Sequence, residues 1–227
     1  TTVQTVWTSN TPMAWTLNPF QITPRQPTQT AQLTGYDAGA AWTRRLPHTQ
    51  PPETPMRLII LDTETTGLSP AEGRIVEIAA VEMLDGKLTG REFHHLLNPE
   101  HPISEVITEI IGINDAMVAG KPTFADIAQA FIDFVGNDKL VVHNAEFDRA
   151  FLDFEFFNID LDWPHLSKPE LWIDTLAYFK EKHPGERCSL DALCERYQIQ
   201  EPEGTNLDTL RDAKILGELY FKFSTSQ

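Results

Sequence analysis

Met56-Arg57-Leu58-Ile59-Ile60-Leu61-Asp62-Thr63-Glu64-Thr65-Thr66-Gly67 opens the globular part of this 227-residue chain. The aliphatic run over 56–62, closed by a glycine turn, reads as a short buried strand. Side chains alternate along a strand, so Asp62 and Glu64 point to one face at its end. Two carboxylates side by side repel unless something positive stands between them. A divalent cation with hard oxygen ligands, magnesium or manganese, answers that need. An isolated acid-x-acid pair is more often one solvated acid and one turn cap, so the weight falls on two further acids downstream.

The first of these lies in Val141-Val142-His143-Asn144-Ala145-Glu146-Phe147-Asp148. An apolar strand ends, Asn144 caps, and Asp148 falls in the first turn of the next helix. The second is Asp212, within an amphipathic helix whose apolar positions are Leu207, Leu210, Ile215, Leu219 and Tyr220. It sits at the packing boundary of that helix.

Strands are expected over 56–62, 74–84, 88–97, 138–143 and 170–174, and helices over 103–111, 123–136, 146–157, 175–183, 188–197 and 207–222. Leu84-Asp85-Gly86-Lys87 is a hairpin signal between the second and third strands. Phe124, Ile127, Ala128, Phe131, Ile132 and Val135 form the stripe of a helix packed on one side. Three strands followed by alternating helices and strands imply an α/β fold, a mixed five-stranded sheet covered by helices.

Residues 1–55 have a different texture, rich in Thr, Pro and Gln and poor in charge. Pro47, Pro51, Pro52 and Pro55 make its end an extended linker. Trp7, Trp15, Phe20, Tyr36 and Trp42 are more aromatic residues than a plain disordered tail needs, and suit a partner-docking arm. The chain therefore divides into an extension, 1–55, and a globular domain, 56–227.

The formal charge of −15 excludes broad phosphate neutralisation as a way of holding nucleic acid. Up to Glu53 there are three basic residues (Arg25, Arg44, Arg45) and two acidic ones (Asp37, Glu53); subtracting these from 18 and 33 leaves 15 basic and 31 acidic, a net of −16. No apolar run reaches the roughly eighteen residues that span a membrane, and no basic-then-apolar leader opens the chain. Cys188 and Cys194, placed within one expected helix, read as reduced thiols. A cytoplasmic protein with no membrane contact is the expectation.

Asp62, Glu64, Asp148 and Asp212 in these settings resemble the DnaQ-like DEDD 3′–5′ exonucleases, the group of the epsilon proofreading subunit of bacterial DNA polymerase III. The likeness runs from about Met56 to Phe223. It includes Ile75-Val76-Glu77-Ile78-Ala79-Ala80-Val81-Glu82, Leu88-Thr89-Gly90 with Phe93-His94, Lys121-Pro122-Thr123-Phe124, and Ser189-Leu190-Asp191-Ala192-Leu193-Cys194-Glu195-Arg196-Tyr197. The resemblance implies a ribonuclease H-like fold and two Mg²⁺ or Mn²⁺ ions held by the four acids. It implies release of nucleoside 5′-monophosphates from a single-stranded or frayed DNA 3′ end, in proofreading or trimming. Thr65, Thr66 and Gly67 would approach the terminal nucleotide, Leu68 would pack against its base, and Asn144 would orient the strand.

Two positions depart from the family pattern. Five residues before Asp212, where active members carry a histidine, stands Leu207; the tyrosine of the sister branch would fall at Asp208. Ile111-Gly112-Ile113 stands where the family often has His-Gly-Ile. Loss of a general base costs on the order of 10²–10⁴ in rate, so slowed chemistry is expected, or else a pseudo-exonuclease that binds a nucleic-acid end or a protein without cutting. His143 reads as structural, and His165 and His183 as solvated loop residues. An RNA 3′ end is a further candidate substrate on the same fold.

Within the extension, Gln32-Leu33-Thr34-Gly35-Tyr36 resembles a degenerate sliding-clamp-binding peptide. Val6-Trp7-Thr8-Ser9-Asn10-Thr11, with Trp15, Phe20 and Arg25-Gln26-Pro27, is similar to the last strands and tail of the small CRISPR adaptation subunit that pairs with the integrase. A polymerase, a sliding clamp or an integrase complex is the partner these likenesses imply.

Overall fold

The central strand, β1 (Arg57–Thr65), owes its place to Leu58, Ile59, Ile60 and Leu61, all buried on one face or the other. A strand apolar on both faces must be covered on both. It pairs antiparallel with β2 (Ile75–Leu84) and parallel with β4 (Lys139–Val142). With β3 (Lys87–Leu96) and β5 (Trp172–Asp174) the sheet runs β3-β2-β1-β4-β5. This is the mixed five-stranded α/β sheet expected from the sequence. The structure, a computed structural model, describes residues 56–200 and 208–224; what was read from residues 1–55 lies outside these, as does Leu207.

The β2–β3 hairpin turns through Asp85 and Gly86, both at positive φ (48° and 78°). Such a turn matches the twist of the strands it joins. The Asp85 carboxylate accepts from the Met56 amide at 2.9 Å, which ties the start of β1 to the turn.

One face of the sheet presents Ile59, Leu61, Ile78, Ala80, Leu140 and Val142 to α3 (Phe124–Val135) and α4 (Ala145–Asn158). The other presents Leu58, Ile60, Ala79, Val81, Met83 and Val141 to Leu210, Ala213 and Leu216 of α7 (Asp208–Ser224). Residues of α5 (Thr175–Lys182) and α6 (Leu190–Tyr197) pack on the outer side of α7 through Phe179, Leu193, Ile215 and Leu219. Each acid singled out in the sequence thus rides on an element whose packing fixes it.

Several expectations need correction. β1 continues to Thr65 rather than ending at 62, so both Asp62 and Glu64 lie within the strand. The side chain of Ser189 caps α6, leaving Cys188 just outside that helix; both cysteines are free thiols. A one-turn helix α2 (Asp115–Val118), capped by Asn114 and too short to carry a stripe, follows α1 (Glu105–Ile111). Two 3₁₀ turns, Pro164–Ser167 and Pro169–Leu171, precede β5. Among the described residues no helix is long and apolar enough to cross a membrane.

The loop that leaves β1 is folded back on itself. The Thr66 amide donates to the Arg74 carbonyl (2.9 Å), and the Arg74 amide to the Thr66 hydroxyl (2.9 Å). Arg74 then forms a two-pronged ion pair with the buried Glu155 of α4 (2.8 and 2.5 Å). Gly67 and Gly73 pass so closely that a Cβ on Gly73 would sit 2.5 Å from the Gly67 nitrogen and 2.8 Å from its Cα. Backbone atoms cannot swing aside as a side chain does, so Gly73→Ala is expected to cost about 1–3 kcal/mol. Urea unfolding checks it: a loss under about 0.5 kcal/mol would mean that the crossing does not constrain the fold.

Candidate active site

Asp62 and Glu64 continue the alternation of Leu58 and Ile60 and so face α7, opposite Ala79 and Glu77 of β2. The regular β1–β2 register breaks between Glu64 and Thr65, immediately after the second acid. Asp148 lies in the first turn of α4 and is buried. Thr63, on the opposite face of β1 from its two acidic neighbours, donates its hydroxyl to Asp148 Oδ1 at 2.9 Å. Asp212 stands in α7, half-buried, with Arg211 Nε at 3.2 Å from its Oδ1.

The electrostatics show that these acids share one neighbourhood. Burial raises the Asp62 carboxyl well above the usual range, and the charges of Asp148, Asp212, Glu64 and Glu77 raise it further. Part of Asp62 still reaches solvent. Asp148 is pushed up to about 7, chiefly by burial, with Asp174 and Glu64 adding to it and the Thr63 hydroxyl opposing. Glu77, a buried acid inside an apolar strand, was not assigned to the site from sequence; its signal was a charge directly across from Glu64. Asp174 was likewise missed: it caps α5 and accepts from the backbone N–H of Asn144 at 3.3 Å.

No three His, Cys, Asp or Glu side chains among the described residues are drawn around a common point as in a filled metal centre. The carboxylates are instead within Coulombic range of one another. Their donor set, hard oxygens in mutual repulsion, fits divalent cations of the magnesium and manganese type.

The residues expected to meet a nucleotide gather beside the acids. Thr65 donates to the Gly67 carbonyl at 2.8 Å, and Thr66 lies 3.2 Å from His101 Nε2. Leu68 is 86% exposed at the tip of its loop, on an open groove shared with Asn144, Phe147 and Phe151. Asn144 differs from expectation. It occupies the N-cap position but in the left-handed region (φ 94°, ψ 64°), and its side chain makes no capping bond. Its exposed amide is thereby left facing outward.

The histidines are engaged elsewhere. His143 Nε2 donates to the Cys188 carbonyl at 2.8 Å and Nδ1 faces the Thr175 hydroxyl at 2.9 Å; burial holds its pKa down. His165 is buried rather than solvated, stacked on Trp163 with Nε2 donating to the Asp138 carbonyl at 2.9 Å. His183 bonds to the Tyr197 hydroxyl. Ile111 packs partly into a small cluster with Val76, Ile103, Ile113 and Val118.

A mixed sheet of this order, with acids of its central strand and two helices within Coulombic range of one another, has the ribonuclease H-like architecture. The chain belongs to the exonuclease family RNase_T, which matches residues 59–220. It is 40% identical over 182 residues to the DNA polymerase III subunit epsilon of Pasteurella multocida, covering 78% of this chain and 72% of that one. To the same subunit of Escherichia coli K12 it is 41% identical over 176 residues, covering 75% and 72%. Among solved structures, exonuclease X in complex with 5′-overhanging duplex DNA is similar at 35% identity and a TM-score of 0.58, over 74% of this chain and 92% of that one. The nuclease domain of 3′hExo, a DEDDh family member bound to rAMP, shares the fold at 20% identity and a TM-score of 0.63, over 76% and 93%.

The raised carboxyls have a consequence for stability. An Asp in the unfolded chain titrates near 4, whereas Asp148 titrates at about 7 in the fold. Between those values the folded form holds the extra proton, so metal-free stability falls as pH rises through this window. Asp148→Asn in EDTA at pH 8 is expected to melt at least about 3 °C above the unsubstituted protein, and the gain should vanish near pH 4. Thermal melts across pH test this; an equal effect at both pH values would sink it.

Proposed function

We propose that this chain is a metal-dependent 3′–5′ exonuclease that removes nucleoside 5′-monophosphates from single-stranded or frayed DNA 3′ ends. The observation that carries this reading is that Glu64, Asp148 and Asp212 all lie within Coulombic range of the Asp62 carboxyl on β1. The relatives bearing the epsilon name support the choice of DNA and of proofreading or end trimming.

In this reading the four acids hold two Mg²⁺ or Mn²⁺ ions. Two such ions, when bound, activate a water and stabilise the leaving 3′ oxygen. The chain's own residues do the rest. Thr63 holds Asp148 in its rotamer through the hydroxyl bond. Thr65, Thr66 and Gly67 supply a tight backbone approach for the terminal nucleotide, Leu68 offers an apolar surface to its base, and the exposed Asn144 amide meets the strand. Residues 1–55 are a separate segment from the domain at 56–227, and form the docking arm for a polymerase, a sliding clamp or an integrase complex.

The second reading, a binder that does not cut, is favoured by Leu207 in the place of the family's histidine. It is the weaker, because a protein free of catalytic duty has no need to keep four repelling acids together. The expected phenotype is a slow enzyme, reduced on the order of 10²–10⁴ by the missing general base. Digestion of a 5′-fluorescent single-stranded oligonucleotide with Mg²⁺, with Mn²⁺ and with EDTA, beside a Leu207→His variant, decides between the two. A slow metal-dependent ladder that the variant accelerates supports the enzyme. A ladder from the variant alone marks a decayed enzyme kept for binding, and silence from both overturns the exonuclease reading.

A further inference from the structure

Glu77 is, with Asp174, a charged group of the site that the sequence did not disclose, and both of its carboxylate oxygens are committed. Oε1 meets His94 Nε2 of β3 at 2.6 Å, and Oε2 accepts from Thr209 Oγ1 of α7 at 2.5 Å. Glu77 is buried and Thr209 wholly so. His94 stands opposite Ala79, two residues along β2, so Glu77 reaches it diagonally across one face of the sheet. One carboxylate therefore bridges three elements: β3, β2 and the first turn of α7.

The position of Thr209 gives this bridge its meaning. Residues three apart on a helix share a face, and three after Thr209 comes Asp212. Leu210 and Ala213 fix how deep α7 lies on the sheet, but apolar contacts are non-directional and resist rotation about the helix axis poorly. Directional ties resist it: the Lys214–Glu92 ion pair (2.8 Å) further along α7, and at its first turn the hydrogen bond from Thr209 to Glu77. The same strand residue faces Glu64 across the β1–β2 ladder. The tie is thus anchored to the strand pair that carries the other two acids.

We propose that Glu77 is a positioning residue: through Thr209 it sets the rotation of α7 at its start, and so where the Asp212 carboxylate stands relative to Asp62 and Glu64. With both oxygens occupied by donors, Glu77 is held out of the ligand set that it adjoins. Its charge nevertheless contributes to the field at Asp62. The inference rests on the reading of Asp212 as a metal ligand.

Thr209→Val tests this without touching any acid, since it removes the hydroxyl and keeps the shape. Supporting groups of metal ligands typically govern affinity by 10–100-fold. Mn²⁺ binding to the full chain, followed by calorimetry, is expected to weaken about 10-fold in Thr209→Val and to recover in Thr209→Ser. Thr209→Ala, expected to weaken binding similarly, serves if the valine variant does not fold. Melting temperatures in EDTA, taken in parallel, report any purely structural effect. A Thr209→Val protein that melts lower yet binds Mn²⁺ within twofold of the natural chain overturns the proposal. If the natural chain itself takes up no Mn²⁺, the metal-site reading falls and the positioning role with it, so the two failures are told apart by which protein shows them.

Discussion

Repulsion among carboxylates at one end of an apolar sheet is the constraint to which the rest of the structure answers. Two unit charges about 5 Å apart, at an effective dielectric near 20, repel by about 3 kcal/mol, and here the charges of four acids act on the Asp62 carboxyl. The chain treats its other buried acids differently. Glu155 receives both prongs of Arg74. Glu82, which burial would push up, is instead held below the usual range by Arg57, Thr89 and Arg91. Asp62 and Asp148 move the opposite way, chiefly through burial, which neighbouring acids reinforce rather than offset. The fold neutralises acids with arginines at two places and crowds them at a third, and on the proposed reading the crowded ones are those that would take a cation.

The apolar layers make that crowding tolerable. β1 is buried on both faces, and α7 closes one face through Leu210, Ala213 and Leu216. The strand cannot slide or turn its acids away, because a one-residue slip would carry Leu58 and Ile60 out of that contact. Hydrophobic packing thus fixes the depth and register of each acidic element, while single hydrogen bonds fix its orientation. Thr63 does so for Asp148 and Glu77 orients the first turn of α7, each across more than eighty residues of sequence.

Those long-range ties mark the limit of what the sequence discloses. The five strands and the principal helices were legible because each carries a periodic apolar pattern, and the Asp85-Gly86 turn because its backbone demands such residues. The short helix Asp115–Val118 and the two 3₁₀ turns had no room for a pattern. At the site, Asp62 and Glu64 were legible from alternation alone. Glu77 was not, since a charge within Ile75–Leu84 looks like an ordinary polar residue until β2 is laid against β1 in register. His165 was misread for a related reason. Its neighbours in sequence suggest a loop, but Trp163 and the Asp138 carbonyl enclose it.

The overall charge bears on how such a site meets its substrate. At −15, the protein repels a phosphate backbone at long range, and salt screens that repulsion beyond about 10 Å. Attraction to such a backbone would therefore be local, and the described residues near the acids include the exposed Leu68 and Asn144 and the half-buried Arg211. On the proposed reading, cations held by the carboxylates would reverse the sign of the field where a scissile phosphate would lie. Binding of a nucleic-acid end and the chemistry performed on it would then depend on the same ions. On that reading a leucine in place of the family's histidine would still leave the phosphate drawn in and polarised, whereas loss of Asp148 or Asp212 would remove the footing of both steps.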